Sequence, residues 1–448
     1  MKDLTQGSIP RHLINMAIPM MLGMFVQTLY FLVDLYFVGS LGASALAGLS
    51  LAGNAMFFIF ALTQVLNVGT ATLISHAVGE KDQTKANAVF NQSLMVASVV
   101  GILVCLLGYL EAESYLAMVS SDPNTIKEGL AYLHWFIPCM ALQFAMVSIS
   151  AALRGTGIVK PTMIIQMLSV LINIVLSPML IAGWGTGHAM GIAGAGLASS
   201  ISVICAVFML AYYFIKSDKY ISFSAPLWRP NMPIIKNMLA IGLPAGGEFF
   251  LMFAYMGSIY WLIQGFGADA QAAFGLGSRI MQSLFLPAMA IAFAAPAIAG
   301  QNFGAKQYQR IRDTYKWSAI ITSSFMAILT VLCLFLAPAM LAPFTDSDAV
   351  LIASAVFLQI ICFNFVPSGL VFTCSGMFQS LGNTWPSLIS TSSRLIIFIL
   401  PAIWLSKQPT FQLEHIWYLS VGTVVVQASI SMLLLKSEFK RRLPAQSV

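Results

Sequence analysis

The feature that most constrains this chain is a succession of apolar runs, each about 20 residues or longer, that follow one another from end to end. As a helix, each run covers a hydrocarbon layer about 30 Å thick. Twelve are recognisable, near 14–38, 46–74, 88–110, 130–153, 162–183, 191–215, 237–264, 272–299, 316–337, 350–379, 386–406 and 414–435. Closed β-barrels do not fit, because their strands alternate apolar and polar residues. Composition points the same way. Of 448 residues 58% are hydrophobic and 8% charged. A water-soluble domain carries roughly 25% charged residues and has no means of hiding this much apolar surface. The sequence therefore predicts an all-α membrane protein with twelve transmembrane helices. The first run lacks the small-residue exit of a cleavable signal and is too long for one, so it is expected to remain as a span.

The distribution of positive charge gives an orientation. With the amino terminus in the cytoplasm and sides alternating across twelve spans, 18 of the 22 Lys and Arg fall inside. Lys127 and Lys407 fall outside, and Arg279 and Arg394 lie within spans. This is the positive-inside bias. It explains the net charge of +6 as a topology signal, so nucleic acid is not an expected partner. The expected location is a bacterial inner membrane, crossed many times, with both termini cytoplasmic.

The two halves of the chain align at a constant offset of 225 residues. Pro19 matches Pro244, Gly42-Ala43 matches Gly267-Ala268, Gly79 and Lys81 match Gly304 and Lys306, and Gly157 and Pro161 match Gly382 and Pro386. An offset of six spans is even, so both halves enter the membrane the same way. Transporters built from parallel repeats bind substrate between them and rock the two bundles alternately. The expected organisation is a first six-helix lobe over 1–215, a basic cytoplasmic linker over 216–236, and a second six-helix lobe over 237–448 ending in a short basic tail.

Ionisable groups inside a bilayer are functional candidates by default, since each costs several kcal/mol unless paired, solvated or neutralised. Of 16 acidic residues only Asp34 and Glu248 sit deep within runs. Asp34, in the first, is a candidate proton carrier or cation ligand. It has no acidic twin, because the register places Ile259 opposite it. In the fifth run Asn173 and Ser177, four apart, share one helix face beside Pro178, and the sixth run adds Ser199, Ser200 and Ser202. Glu248 has Arg279 and Arg394 as possible ion-pair partners in its own half; all three are also candidate substrate contacts. The six cysteines fall within runs with no CxxC spacing, so no metal site is expected.

The segments "IPMMLGMFVQTLYFLVDLYFVGSLG", "LRGTGIVKP" and "LPAGGEFF" resemble the multidrug and toxic compound extrusion (MATE) family, in particular its prokaryotic DinF-like branch. The resemblance covers nearly the whole chain. It implies two six-helix lobes in a V and efflux of drugs driven by Na⁺ or H⁺. In that branch a carboxylate on helix 1, an Asn on helix 5, a second Asp one turn later and a hydroxyl on helix 6 form an ion-coupling cluster. Asp34, Asn173 and Ser199 match the first, second and last; Ser177 stands where the second Asp is expected. Hard cations favour carboxylate oxygens, whereas one carboxylate suffices for proton exchange, so H⁺ is favoured over Na⁺. Pro19 matches a family proline at which helix 1 bends. Glu248 is similar to a Glu that another branch carries on helix 7.

The expected function is thus a cation-coupled antiporter that exports lipophilic, cationic small organic molecules, acting as a monomer without a cofactor. The alternative is a flippase of the same superfamily for lipid-linked or anionic substrates, motivated by Arg279 and Arg394. An enzyme is not expected: the chain carries no HExxH, GxSxG or Walker motif, and its five histidines are scattered towards the ends of the runs.

Overall fold

The structure is a computed structural model that describes residues 2–39, 41–185, 187–216, 220–345 and 347–444, without the side chains of 30–35, 43 and 215. Among these residues the chain forms thirteen α-helices. They are α1 (Ile9–Gly39), α2 (Ala43–Gly79), α3 (Gln83–Val119), α4 (Pro123–Gly155), α5 (Lys160–Ile181), α6 (Ile192–Lys216), α7 (Met232–Ile263), α8 (Ala268–Gly304), α9 (Tyr308–Leu341), α10 (Asp348–Ile361), α11 (Phe365–Ser380), α12 (Trp385–Ser406) and α13 (Leu413–Arg442). They supply twelve segments long and apolar enough to cross a membrane, with α10 and α11 together making one. The sequence predicts a single helix there. A 3₁₀ turn over Cys362–Asn364 interrupts it, just ahead of Pro367, which lacks the N–H and crowds the carbonyl four residues back.

The halves repeat one packing scheme. In the first, α4 packs on α2, α3 and α6, and α5 packs on α6. In the second, the α10–α11 pair packs on α8, α9 and α13, and α12 packs on α13. The turns repeat as well. Lys81 and Lys306 share a left-handed backbone, with φ of 59° and 58°. Each closes its helix by the same bonds: Asp82 N–H donates to Ala77 O at 2.9 Å and Gln307 N–H to Asn302 O at 2.8 Å. Gly157 and Gly382 end α4 and α11 with φ of 79° and 69°, a conformation that a Cβ disfavours. Residues matched by sequence alone thus adopt matching backbone geometry.

Two compact units arise. One comprises residues 1–3 and 22–242; the other comprises 4–21 and 243–448. In the first unit a hydroxyl ladder crosses three helices: Thr70 and Ser93 share a bond of 2.5 Å, and Ser93 and Ser148 one of 2.7 Å. Three amide side chains of α3 hold the segment leading into α7. Asn87 Oδ1 accepts from Ser222 N–H at 2.7 Å, Asn91 Nδ2 donates to Ser222 O at 3.0 Å, and Gln92 Nε2 donates to Leu227 O at 2.6 Å. Asp122 caps α4. Its carboxylate accepts from the Thr125 hydroxyl and the Thr125 and Asn124 amides, which holds its carboxyl below the usual carboxylate range.

In the second unit the amino-terminal strap is anchored by Arg310 at the start of α9. The guanidinium donates from Nε to Asn302 Oδ1 at 2.9 Å, from Nη1 to Gly7 O at 3.0 Å and from Nη2 to Leu4 O at 3.2 Å. Gln301 Oε1 accepts from Leu4 N–H at 3.0 Å, and the Leu4 side chain is fully buried. Arg310→Ala therefore removes two bonds to the strap and the one to Asn302 that orients the guanidinium. Limited proteolysis should then cleave within residues 2–8 at least tenfold faster than in the wild type, because a freed terminus opens at little cost. An unchanged cleavage rate would show that Leu4 burial alone suffices.

Candidate functional site

The first candidate site lies where α1, α5 and α6 meet. Asn173 and Ser177 are fully buried on one face of α5, and Ser177 Oγ donates to Asn173 Oδ1 at 3.3 Å. The Asn173 Nδ2 is buried with no acceptor among the described residues. An amide left in this state costs about 1–3 kcal/mol, so the position calls for an oxygen. Ser199 is buried on α6 and bonds back to Ala195 O at 3.0 Å. Ser169 Oγ donates to Ser202 O at 2.9 Å and ties α5 to α6. Gln166 Nε2 donates to Gln27 Oε1 at 3.1 Å and ties α5 to α1. Asp34 belongs to α1, but its side chain falls outside the described residues. Pro19 lies inside α1, which runs through it as one helix.

The second site lies in the other half. Glu248 on α7 is buried, with 5% of its surface exposed. Its Oε2 accepts from Ser387 Oγ of α12 at 2.6 Å and from Ser375 Oγ of α11 at 2.9 Å. Neither arginine proposed as its partner meets it. Arg279 on α8 is exposed. Arg394 on α12 lies over the Tyr255 ring, 4.3 Å from the centroid, and donates from Nη1 to Gln427 Oε1 at the outer limit of 3.5 Å. Its Nε is buried without an acceptor among the described residues. Gln427 Nε2 reaches Thr391 Oγ1 at 3.3 Å; Tyr255 and Ser420 share a hydrogen bond of 2.7 Å; and Asn364 Nδ2 donates to Ser420 Oγ at 3.1 Å. Sequence reasoning missed Ser375, Ser387, Tyr255, Asn364 and Gln427. One signal was available: Glu248 and Tyr255, like Ser387 and Arg394, are seven apart, which puts each pair on one helix face.

The two serines solvate the buried carboxylate. Replacing both by alanine leaves Glu248 without donors, and each lost bond costs about 1–3 kcal/mol. The double variant Ser375→Ala, Ser387→Ala should therefore unfold at a clearly lower temperature in detergent. Adding Glu248→Gln should recover most of that loss, since a neutral amide is cheaper to bury than a charge. Should the triple variant unfold no later than the double, the serines matter for packing alone.

The repeat makes the asymmetry of the halves explicit. Gly23 is the counterpart of Glu248, and a Cβ built on Gly23 would lie 3.1 Å from Gln166 Oε1. The first half thus fills with a neutral amide the region where the second carries an acid. Conversely, the counterparts of Asp34, Asn173 and Ser177 are Ile259, Phe398 and Ala402, all buried in one apolar cluster. At the first site's level, the second half carries an oily plug.

Comparison with known proteins agrees with this architecture. The sequence profile of the MatE family matches residues 19–179 and 244–404, two stretches in the register of the repeat. A probable multidrug resistance protein, YoeA of Bacillus subtilis, is 23% identical over 418 residues, covering 92% of this chain and 90% of its own. The multidrug export protein MepA of Staphylococcus aureus is 25% identical over 379 residues, covering 83% and 81%. Among solved structures, an outward-facing multidrug resistance MATE transporter of the MOP superfamily superposes with a TM-score of 0.92 at 25% identity, covering 99% of this chain and 98% of that one. A MOP superfamily transporter from Pyrococcus furiosus has the same fold, with a TM-score of 0.91 at 24% identity over 99% and 98%. With the family profile matched in both halves of a duplicated twelve-span helical fold, the chain belongs to the MATE family and is a membrane-embedded secondary transporter, not an enzyme.

Proposed function

We propose that this chain is a multidrug efflux antiporter that exports lipophilic, cationic small molecules in exchange for protons, with Asp34, Asn173, Ser177 and Ser199 as its coupling cluster. The observation that carries the reading is the behaviour of the repeat. Ile259, Phe398 and Ala402, which stand in the register of Asp34, Asn173 and Ser177, pack together in one buried cluster. In the first half the matching positions are polar instead, and Asn173 Nδ2 is buried without an acceptor among the described residues, which supports a site that takes up a further polar group. The names of YoeA and MepA, a multidrug resistance and a multidrug export protein, support the cargo class.

The choice of H⁺ over Na⁺ follows from the donor set. Asn173, Ser177 and Ser199 offer neutral oxygens, and Asp34 is the only acid deep in the first six runs. One carboxylate with neutral neighbours is a poor cage for a hard cation and a sufficient carrier for a proton. In this mechanism Asp34 takes a proton from the outer side, loses its charge, and the repacking of α1 bends the helix at Pro19 as substrate leaves outward. The proton is then released inward and the next substrate binds. The protein acts as a monomer, with both termini in the cytoplasm of a bacterial inner membrane.

The test is uptake in proteoliposomes under an imposed gradient of pH or of Na⁺. A pH gradient should drive accumulation of a lipophilic cationic dye, and a Na⁺ gradient alone should not. Accumulation driven by Na⁺ at fixed pH would overturn the proton assignment; accumulation under neither would overturn antiport.

A further inference from the structure

Of the intramembrane cations that the coupling mechanism leaves unused, Arg394 is the one held, among the described residues, without an ionic partner or an exposed position. Arg394 is the tenth of the 22 residues of α12. At 1.5 Å per residue it lies at least about 13 Å from either end of the helix, further than an arginine side chain extends, so it cannot snorkel to water along α12. Among the described residues no carboxylate pairs with it. The acid in the same half, Glu248, is held by Ser375 and Ser387 two helical turns away along the shared α7–α12 seam. Tyr255 covers one face of the guanidinium at 4.3 Å. A ring face neutralises none of the donors in the guanidinium plane. Of these, Nη1 has only the 3.5 Å bond to Gln427, and Nε has no acceptor.

The surroundings hold this arginine in place. Gln427 is braced by Thr391 at 3.3 Å, and Tyr255 is fixed through its hydroxyl by Ser420 at 2.7 Å. Ser420 in turn accepts from Asn364 at 3.1 Å, and the Oδ1 of Asn364, a residue 5% exposed, is a buried acceptor without a donor. At the same level of the first half the register puts Ser169 and Ser202, a neutral pair joined at 2.9 Å. The second half therefore carries a guanidinium lying over a tyrosine ring where the fold is satisfied by two hydroxyl residues.

We propose that Arg394, with Tyr255 and Gln427, is an oxyanion-binding subsite that receives the carboxylate of a zwitterionic, aromatic substrate. Planar guanidinium donors match a carboxylate by two parallel bonds, and the Tyr255 ring, 4.3 Å from the guanidinium carbon, braces the group from one side. Balancing this charge selects substrates that carry an acid in addition to their cationic group. Glu248 marks where the cationic end points, about 10 Å along the seam, the length of seven residues of helix. This deepens the export reading by naming the substrate class, and it stands or falls separately, because binding at Arg394 needs no transport.

Rhodamine 110 and rhodamine 123 test it, since the first is a zwitterion with a free carboxylate and the second is its methyl ester, a cation. Their affinities for the purified protein in nanodiscs are measured by fluorescence anisotropy. The wild type should bind rhodamine 110 at least tenfold more tightly than rhodamine 123. Arg394→Gln should erase the difference, chiefly by weakening the binding of rhodamine 110. Arg394→Lys, which keeps the charge but loses the planar fork, should retain a preference of a few fold; it also serves as the readout should Arg394→Gln fail to fold. Equal affinities in the wild type, or a full preference surviving in either variant, overturn the subsite. Uptake of both dyes into proteoliposomes separates this from the export reading. If the binding preference holds and neither dye accumulates, export fails and the subsite stands; if both accumulate while bound equally, export stands and the subsite falls.

Discussion

Asp34→Asn is expected to abolish gradient-driven accumulation while leaving substrate binding intact. The amide keeps the size and most of the hydrogen bonding of the acid, so α1 should pack as before, but it cannot take up and release a proton at neutral pH. One elementary charge moving through 100 mV supplies about 2.3 kcal/mol, enough for roughly a fiftyfold concentration ratio. With the membrane potential clamped at zero, a variant that no longer couples should relax to a ratio of about one across the same pH gradient, whereas the wild type holds the dye out of equilibrium. Proteoliposome uptake with an imposed pH gradient reads the ratio, and fluorescence titration reads the binding. Asn173→Leu should lower the ratio too, since it removes the buried amide of the proposed coupling cluster. If Asp34→Asn sustains the wild-type ratio, the coupling site lies elsewhere, and Glu248 becomes the first place to look.

Gly242→Val is expected to be among the most destabilising single changes in the chain. On α7, a Cβ at Gly242 would sit 2.1 Å from Val65 O; on α2, one at Gly69 would sit 2.4 Å from Met238 O. Each glycine thus lies under the carbonyl of the residue four before its partner, a reciprocal contact that brings two backbones together. Small residues at this spacing are how membrane helices pack when lipid offers no hydrophobic drive. Both obstacles are backbone, so no rotamer relieves them and the helices must separate. Overpacking of this kind costs about 1–3 kcal/mol for a single added group, and valine adds two more methyls. The melting temperature in detergent should fall sharply, with less folded protein recovered. Gly257→Ala on the same helix is the control. A Cβ there meets nothing within 4 Å, and alanine gains up to about 1 kcal/mol of helix propensity. If the two variants melt alike, the close approach of α2 and α7 is not a source of stability.

The sequence by itself determined the span count, the duplication and the identity of the charges inside the membrane. Bilayer solvation is a local demand: every 20-residue stretch must satisfy it alone, so the signal survives without any knowledge of partners. The register of 225 residues survived because turns need particular backbone conformations, as Lys81 and Lys306, or Gly157 and Gly382, display. Which groups meet was decided only by tertiary structure. Glu248 and the two arginines share one half, and opposite charge argued for pairing, yet the acid is solvated by Ser375 and Ser387 and Arg394 stacks on Tyr255. Helix rotation and axial level fix those pairings, and both follow from the packing of small residues across several helices at once. No local pattern encodes that sum.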